Sequence, residues 1–473
     1  MMQDIILFGT GDRGKKVFRF LDEIGKKILF WIDSDSGKWN TELFRVPIYK
    51  PEKVLEYEDS IICIAAIDPE REMYHKLCSY GISPERIYSF TEMIIKSAKE
   101  VLKSDLVDTR RRCPNPDILF DCTNGLGLGG VEVFSMQLAE ELESHGKHAF
   151  LVAPQGDKIR NSNSKTKILY TKINATDGFS LQNIKNIMKS VEEKMPCTVI
   201  TSCMNDFFLA VCILKECYPT RIKIISVVHQ GLLASYKEHA DVMQYVERYI
   251  GVSRDISEGL CLQGIKEDII SHMTCPVACR DVLDRTYTED TSLPIRIGYA
   301  GRLEVVQKRL DLLPLLIDAL NQLKTNYMLE IAGTGSYYDN ILEYVHSMGL
   351  ENRIHLLGTM ERSKMPDFWN RQDICINLSD YEGRSISIME AMANGAVPIV
   401  TKTSGVREDI IDGENGYLIN IGDYSKMANI IDALEKQRYL LKNMGQKAFL
   451  VISSKCRMKD HIIFWNQVLG ELW

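Results

Sequence analysis

The sequence predicts an α/β protein built from three Rossmann-like domains. Two patterns carry that expectation. An apolar strand, a glycine turn and an amphipathic helix follow one another three times, and short β-branched runs alternate with helical stretches elsewhere. A third observation is scale: 473 residues, 45% hydrophobic and 26% charged, supply the apolar material for two to three domains.

The first opening is Ile5–Leu7 followed by Gly9-Thr-Gly11-Asp-Arg-Gly14, with Asp33 closing the next strand, Ile28–Ile32. Glycines placed so between strand and helix let a diphosphate approach the helix N-terminus, while an acid on the second strand holds a ribose. Gly9, Gly11, Gly14 and Asp33 are therefore candidate nucleotide ligands. Three readings stay open for this unit: NAD, another nucleotide or sugar nucleotide, or a docking domain without a ligand. Asp33-Ser-Asp35 also spells an Asp-x-Asp metal motif. Its place at the end of the fingerprint's second strand assigns it there instead, and no metal site is expected.

The second opening is Ile118–Phe120 with Gly125-Leu-Gly127-Leu-Gly129-Gly130, and the third is Ile295–Tyr299 with Gly301-Arg302. Composition sets the boundaries. Residues 1–92 form the leading domain, 93–116 a charged helical linker ending in Arg110-Arg-Arg-Cys-Pro-Asn-Pro116, and 117–290 the second domain. Residues 291–455 form the third domain and 456–473 an amphipathic terminal helix. A polar stretch at 155–167, with Lys158, Arg160, Lys165 and Lys167, reads as a surface loop or as a contact for an anionic acceptor.

Composition also excludes. A net charge of −7 argues against a dedicated nucleic-acid binder, and no apolar run reaches the roughly 20 residues that cross a bilayer. The 13 cysteines show no Cys-x-x-Cys pair, the pattern of reduced thiols in a cytoplasmic protein.

Candidate chemistry concentrates in the third domain. Glu382 precedes a helix that opens at Ser385, and Glu390 lies inside it, about 7 Å further along the axis. Free amides near Arg384–Ser387 point out of that helix end, which suits an anion flanked by hydroxyl-bearing groups. Arg302 ends the domain's first strand and Lys308 follows six residues later. The pair can hold a departing diphosphate by fixed charge, or simply cap a surface helix. In the second domain, Ile224-Ile-Ser-Val-Val-His229 is a buried strand ending in histidine at a cleft-facing position.

Read in order, Gly129-Gly130-Val-Glu132, Gly301-Arg302-Leu-x₄-Lys308, Ala332-Gly-Thr-Gly335 with Arg353-Ile-His-Leu-Leu-Gly358, and Glu382-x₇-Glu390 followed by Ala-Met-Ala-x-Gly resemble glycosyltransferase family 4. The resemblance covers residues 117–473. It implies a retaining enzyme of GT-B fold, two Rossmann-like domains facing each other across a cleft, here preceded by a third. It places Glu382, His229, Arg302 and Lys308 in the catalytic group. The donor site it implies comprises Gly129, Gly130, Gly301, Arg302, Lys308, Gly358, Glu382, Gly383, Arg384, Ser385, Ile386 and Glu390. Within it Glu390 would bind the donor ribose and Glu382 the hydroxyls of the transferred sugar. This sequence departs from the family at Arg384, where an aromatic or aliphatic residue is usual, and at Arg309, where glycine is frequent.

The implied partners are a UDP- or GDP-sugar donor and a glycan or lipid-linked acceptor, with no cofactor required for transfer. The expected location is the cytoplasm, with a peripheral seat at the inner face of a membrane as the variant. Two other classes stand beside this one: a sugar-nucleotide epimerase on the same architecture, and a non-catalytic member of a glycan-assembly complex. The leading unit resembles the nucleotide-binding head of bacterial sugar acetyltransferases, with Pro47-Ile48 and Pro51 in the turn after its second strand.

Overall fold

Alternating buried strands and amphipathic helices resolve into three sheets, each flanked by helices. The computed structural model describes residues 4–66, 68, 71–102, 115–127, 129–157, 166–174 and 178–473. The arginines at 110–112, and Lys158, Arg160 and Lys165, lie outside the described residues.

In the first sheet, Ile5–Phe8 sits between Ile28–Ile32 and Ile61–Ile64, with Val46–Tyr49 and Glu42–Leu43 beyond the former and Ile87–Ser89 beyond the latter. Glu42–Leu43 pairs antiparallel with Val46–Tyr49, and the other pairings are parallel. The second sheet has seven strands centred on Cys197–Thr201 and Asp117–Asp121, with Ile222–Val228 beside the former and Ala149–Pro154 beside the latter. The third has six, with Ile295–Ala300 between Tyr327–Ala332 and Ile374–Asn377. Its central strands are buried on both faces, as parallel strands covered by helices must be. Strand order reverses on either side of Ile295–Ala300. That reversal opens a crevice at the carboxyl ends of Ile295–Ala300 and Ile374–Asn377.

Two expectations need correction. Residues 93–102 of the expected charged helical linker are helical but packed, within a helix Phe90–Leu102 that buries Phe90, Met93, Ile94, Ile95, Ala98 and Leu102. Its charges lie on the outer side, where Lys99 pairs with Glu216 of the second domain at 2.5 Å. Periodicity, more than charge content, decides such a segment. Pro47-Ile48 is likewise not a turn but part of the strand Val46–Tyr49, near the sheet edge where a proline is tolerated. One face of the first sheet joins the second domain in a continuous apolar core that includes Leu7, Phe20, Trp31 and Ile94.

The terminal helix, Met458–Glu471, leaves the third domain and packs on the helix Gly130–Ser144 of the second. Trp465 is fully buried, donates to His461 at 3.1 Å and sits 6.2 Å from the Phe134 ring. Trp473 donates to Thr198 at 2.9 Å, and Glu471 pairs with Arg248 at 2.9 Å. Replacing Trp465 with alanine removes a large apolar side chain and leaves a cavity, at a cost of about 3–5 kcal/mol. Urea unfolding of Trp465→Ala measures that loss; a change below about 1 kcal/mol would contradict the docked helix.

Candidate functional site

The third-domain half of the site grows from the carboxyl ends of two adjacent strands. After Ile295–Ala300 the chain turns at Gly301, where the Tyr299 hydroxyl donates to the Arg302 carbonyl at 3.0 Å. The Arg302 guanidinium reaches Glu304 and Gln307, the latter at 2.9 Å, and its side chain stays 60% exposed. Gln307 in turn donates to the Tyr381 carbonyl at 3.1 Å, tying this turn to the next. Arg309 occupies a left-handed conformation at φ 51°, where a side chain is strained and glycine is favoured. Ion pairs to Asp311 and Asp380, at 3.1 and 3.0 Å, offset that strain and account for an arginine here.

After Ile374–Asn377, the Asn377 side chain accepts from the Ser379 amide at 2.9 Å and turns the chain towards Glu382. Glu382 Oε1 accepts from Ser379 Oγ at 2.8 Å and from Lys308 Nζ at 2.5 Å. Both side chains of this ion pair are largely buried. Asn377 and Ser379 thus position Glu382, a role that no motif signalled. Their signal was only their place just past a buried strand.

The helix that follows is Ile386–Ala393. Ser385 stands at its N-cap, yet its hydroxyl meets Ser387 Oγ at 3.1 Å and caps no backbone amide. The helix Gly130–Ser144 opens with Gly129 at its N-cap, also without a side-chain cap. These two N-termini converge: a Cβ on Gly130 would lie 3.8 Å from Ile386 Cδ1. The Glu132 carboxylate folds back against Gly129, 2.2 Å from where a Cβ would stand, so of the two ends the Ile386–Ala393 opening is the one with neither a side-chain cap nor an acid in its first turn. Gly358 ends the strand Ile354–Gly358 at the same carboxyl edge, accepting from the Gly333 amide at 2.8 Å.

Glu390 lies further along the Ile386–Ala393 helix. Burial pushes its carboxyl up to about 7, with Arg362 and the Trp369 indole acting against the rise. Arg362, like Asn377 and Ser379, is a residue that no motif signalled.

The second domain contributes His229, just past the strand Ile222–Val228. Its ring packs edge-on against Phe134 at 5.1 Å, and Phe134 is in turn held by His461 and Trp465. Its buried Nε2 has no hydrogen-bond partner among the described residues. Burial pulls the imidazole down to about 4, so it is neutral near pH 7. Gly383 bridges the halves. A Cβ there would sit 1.7 Å from the His229 carbonyl oxygen, so only glycine permits this approach. The structure therefore brings His229, Lys308, Glu382, Gly383 and the two helix ends together, with Arg302 more exposed at the rim.

Arg384 is a correction. Its side chain is 2% exposed and turned into the third domain, where it forks onto Asp409 and reaches Glu408 at 3.4 Å. With its donors committed there, the guanidinium is a buckle between two loops and not a donor ligand. Position 384 joins the site only through the backbone of the helix opening.

The first domain's candidates are also satisfied from within. Asp33 accepts from the Thr10 amide at 3.0 Å and hydroxyl at 2.5 Å, and from Lys38 at 3.3 Å. Asp35 caps the turn Ser36–Lys38. A Cβ on Gly14 would fall 2.1 Å from the Gly9 carbonyl, so that glycine serves the turn itself; Gly11 is the N-cap of Asp12–Glu23. Among the described residues, no group of three or more His, Cys, Asp or Glu side chains could hold a metal ion. No described helix is long and apolar enough to cross a membrane.

Residues 290–451 match the family model described as Glycosyl transferases group 1. The third domain is a group 1 glycosyltransferase domain. The chain is similar to N-acetyl-alpha-D-glucosaminyl L-malate synthase of Bacillus anthracis, 32% identical over 120 residues, covering 25% of this chain and 31% of that protein. It is also similar to Lipopolysaccharide 1,6-galactosyltransferase of Salmonella typhimurium, 28% identical over 192 residues, covering 40% of this chain and 52% of that one. The matches thus span between about a third and a half of these relatives' length. Among solved structures, a point mutant of S. aureus TarM in complex with Fondaparinux, alpha-GlcNAc-glycerol and UDP aligns with a TM-score of 0.62. That alignment has 13% identity and covers 75% of this chain and 99% of the TarM chain. Domains two and three thus form a GT-B fold.

Glu390 carries a pH signature. A glutamate ordinarily titrates near 4.5, and this one holds its proton up to about 7 when folded. Its contribution to stability is complete below the unfolded value and is lost as pH rises through the folded one. Glu390→Gln cannot ionise, so its melting temperature relative to wild type should climb between about pH 5 and about pH 8. Calorimetry at the two pH values checks this, and a pH-independent difference would contradict it.

Proposed function

We propose that this protein is a retaining glycosyltransferase of family 4 that moves a sugar from a UDP- or GDP-sugar to a glycan or lipid-linked acceptor, without a divalent ion. The reading places the work in the cytoplasm, at bacterial cell-surface glycan assembly, where its galactosyltransferase relative also belongs by name. The observation that carries it is the Lys308–Glu382 pair at 2.5 Å, set beside the unpartnered Nε2 of His229 and two converging helix ends.

Each element has a task in the transfer. The donor diphosphate seats against the two helix N-termini and draws Lys308 Nζ from Glu382 onto a phosphate oxygen, with Arg302 closing from the rim. Glu382, released from its cation, accepts a hydroxyl of the sugar. Glu390 accepts from the ribose hydroxyls, and it does so as the ionised carboxylate. His229, a neutral imidazole, offers Nε2 to the sugar or the acceptor. The acceptor oxygen then bonds to the anomeric carbon on the face from which the phosphate oxygen departs. The acceptor's hydroxyl proton passes to that leaving oxygen, so configuration is retained. Fixed positive charge supplies the stabilisation where negative charge develops, in a space that the closed domains shield from water. The UDP in the TarM complex supports a uridine nucleotide as the first choice of donor.

The test is turnover, read as UDP or GDP release from UDP-glucose, UDP-galactose, UDP-N-acetylglucosamine and GDP-mannose. Lys308→Ala and Glu390→Ala should each lower kcat/KM on the order of 100- to 1,000-fold while circular dichroism stays that of the wild type. Wild-type turnover in both variants would discard this site.

A further inference from the structure

The carboxyl edge of the first sheet, where an open α/β sheet holds its ligand, faces the second domain. Arg13, in the helix Asp12–Glu23 after the glycine turn, pairs with Glu238 at 2.9 Å; the two side chains are 28% and 16% exposed. Its guanidinium also lies over the Phe90 ring, 4.6 Å from the centroid. Next to Glu238, Lys237 bonds Asp241 and feels Asp68, Arg71 and Glu92 of the first domain.

Lys237 and Glu238 belong to the helix Leu233–Ala240, which the second domain holds from its other side. His239 Nδ1 meets Ser226 Oγ at 3.2 Å, and the Tyr249 hydroxyl donates to the His239 carbonyl at 2.8 Å. This helix begins immediately after the turn His229–Leu232. The turn has little room: a Cβ on Gly231 would lie 2.3 Å from Ser404 Oγ of the third domain. The four-residue turn thus joins the helix to His229, whose carbonyl oxygen lies against Gly383.

We infer that the first domain is a positioning element of the transfer site, with Arg13 acting through Glu238 to fix the Leu233–Ala240 helix and so the seat of His229. The inference rests on the transferase reading of the cleft. It accounts for a Rossmann-like unit whose aspartate is bonded to its own loop and whose glycine turn leads into a helix that contacts protein. Arg13 and Glu238 touch no substrate. Their effect is geometric, and a displacement near 1 Å at a reacting centre is enough to cost about 100-fold in rate.

The experiment compares full-length Arg13→Glu, Glu238→Arg and the double charge swap. Two readouts are taken: UDP or GDP release with the sugar nucleotides named above, and backbone hydrogen exchange over residues 229–240. Each single reversal should lower kcat roughly tenfold with the donor KM unchanged, and should raise exchange over that segment. The double swap should restore both. Singles that match the wild type in kcat and exchange, or a double swap that restores neither, overturn the inference. A wild-type chain that turns over none of the nucleotides would sink the transferase reading instead, and the exchange pattern would still decide the coupling.

Discussion

The site depends on one close approach: the backbone of Gly383 pressed against the carbonyl of His229. Nothing larger than hydrogen fits between them. Because these residues lie on turns that follow strands of different domains, the contact ties the two sheets together and brings Glu382 and His229 to the same space. The Lys308–Glu382 pair then sits beside the seam. A mostly buried ion pair owes its stability to mutual compensation, since removing either partner strands the other charge. An incoming diphosphate is a stronger anion than a carboxylate and satisfies the same ammonium. In the proposed transfer, seating it would draw the ammonium away and leave the Glu382 carboxylate to be satisfied by Ser379 and by hydroxyls of the sugar.

Around this centre the structure is a set of props. Phe134 holds the His229 ring, His461 and Trp465 hold Phe134, and so the terminal helix of the chain supports the second domain's contribution. Arg384 and Asp409 clasp two loops beneath Glu382. Asn377 and Ser379 aim that carboxylate. On the far side, the first domain shares an apolar core with the second and reaches the helix after His229. The opening of Ile386–Ala393, which lacks a side-chain cap, needs such support, because its first amides have no partner within the helix.

Much of this was legible in the sequence. The three strand–glycine–helix openings located the first strand of each sheet, and buried runs such as Ile374–Asn377 and Val397–Thr401 located the core. That Glu382, Lys308 and His229 lie in turns beyond the carboxyl ends of parallel strands was legible, because each is a charged or polar residue downstream of a buried apolar run. What was not legible lies in tertiary pairing. Arg384 looked like a ligand, since a residue's neighbour in sequence is visible and Asp409, 25 residues on, is not. Asp33 matched a ribose-binding position, while the Thr10 hydroxyl that occupies it is an ordinary loop residue. The 93–102 segment was charged enough to pass for a linker, and only its periodic apolar face told of burial. Phe134 and Arg362 carry no motif, and act solely through what they face.

The most direct measurement is a crystal structure of the protein soaked with UDP. The account predicts diphosphate oxygens within hydrogen-bonding distance of the amides that open Ile386–Ala393, Lys308 Nζ swung from Glu382 onto a phosphate, and the ribose on Glu390. A nucleotide bound elsewhere, or Lys308 still paired with Glu382 beneath a bound diphosphate, would contradict it.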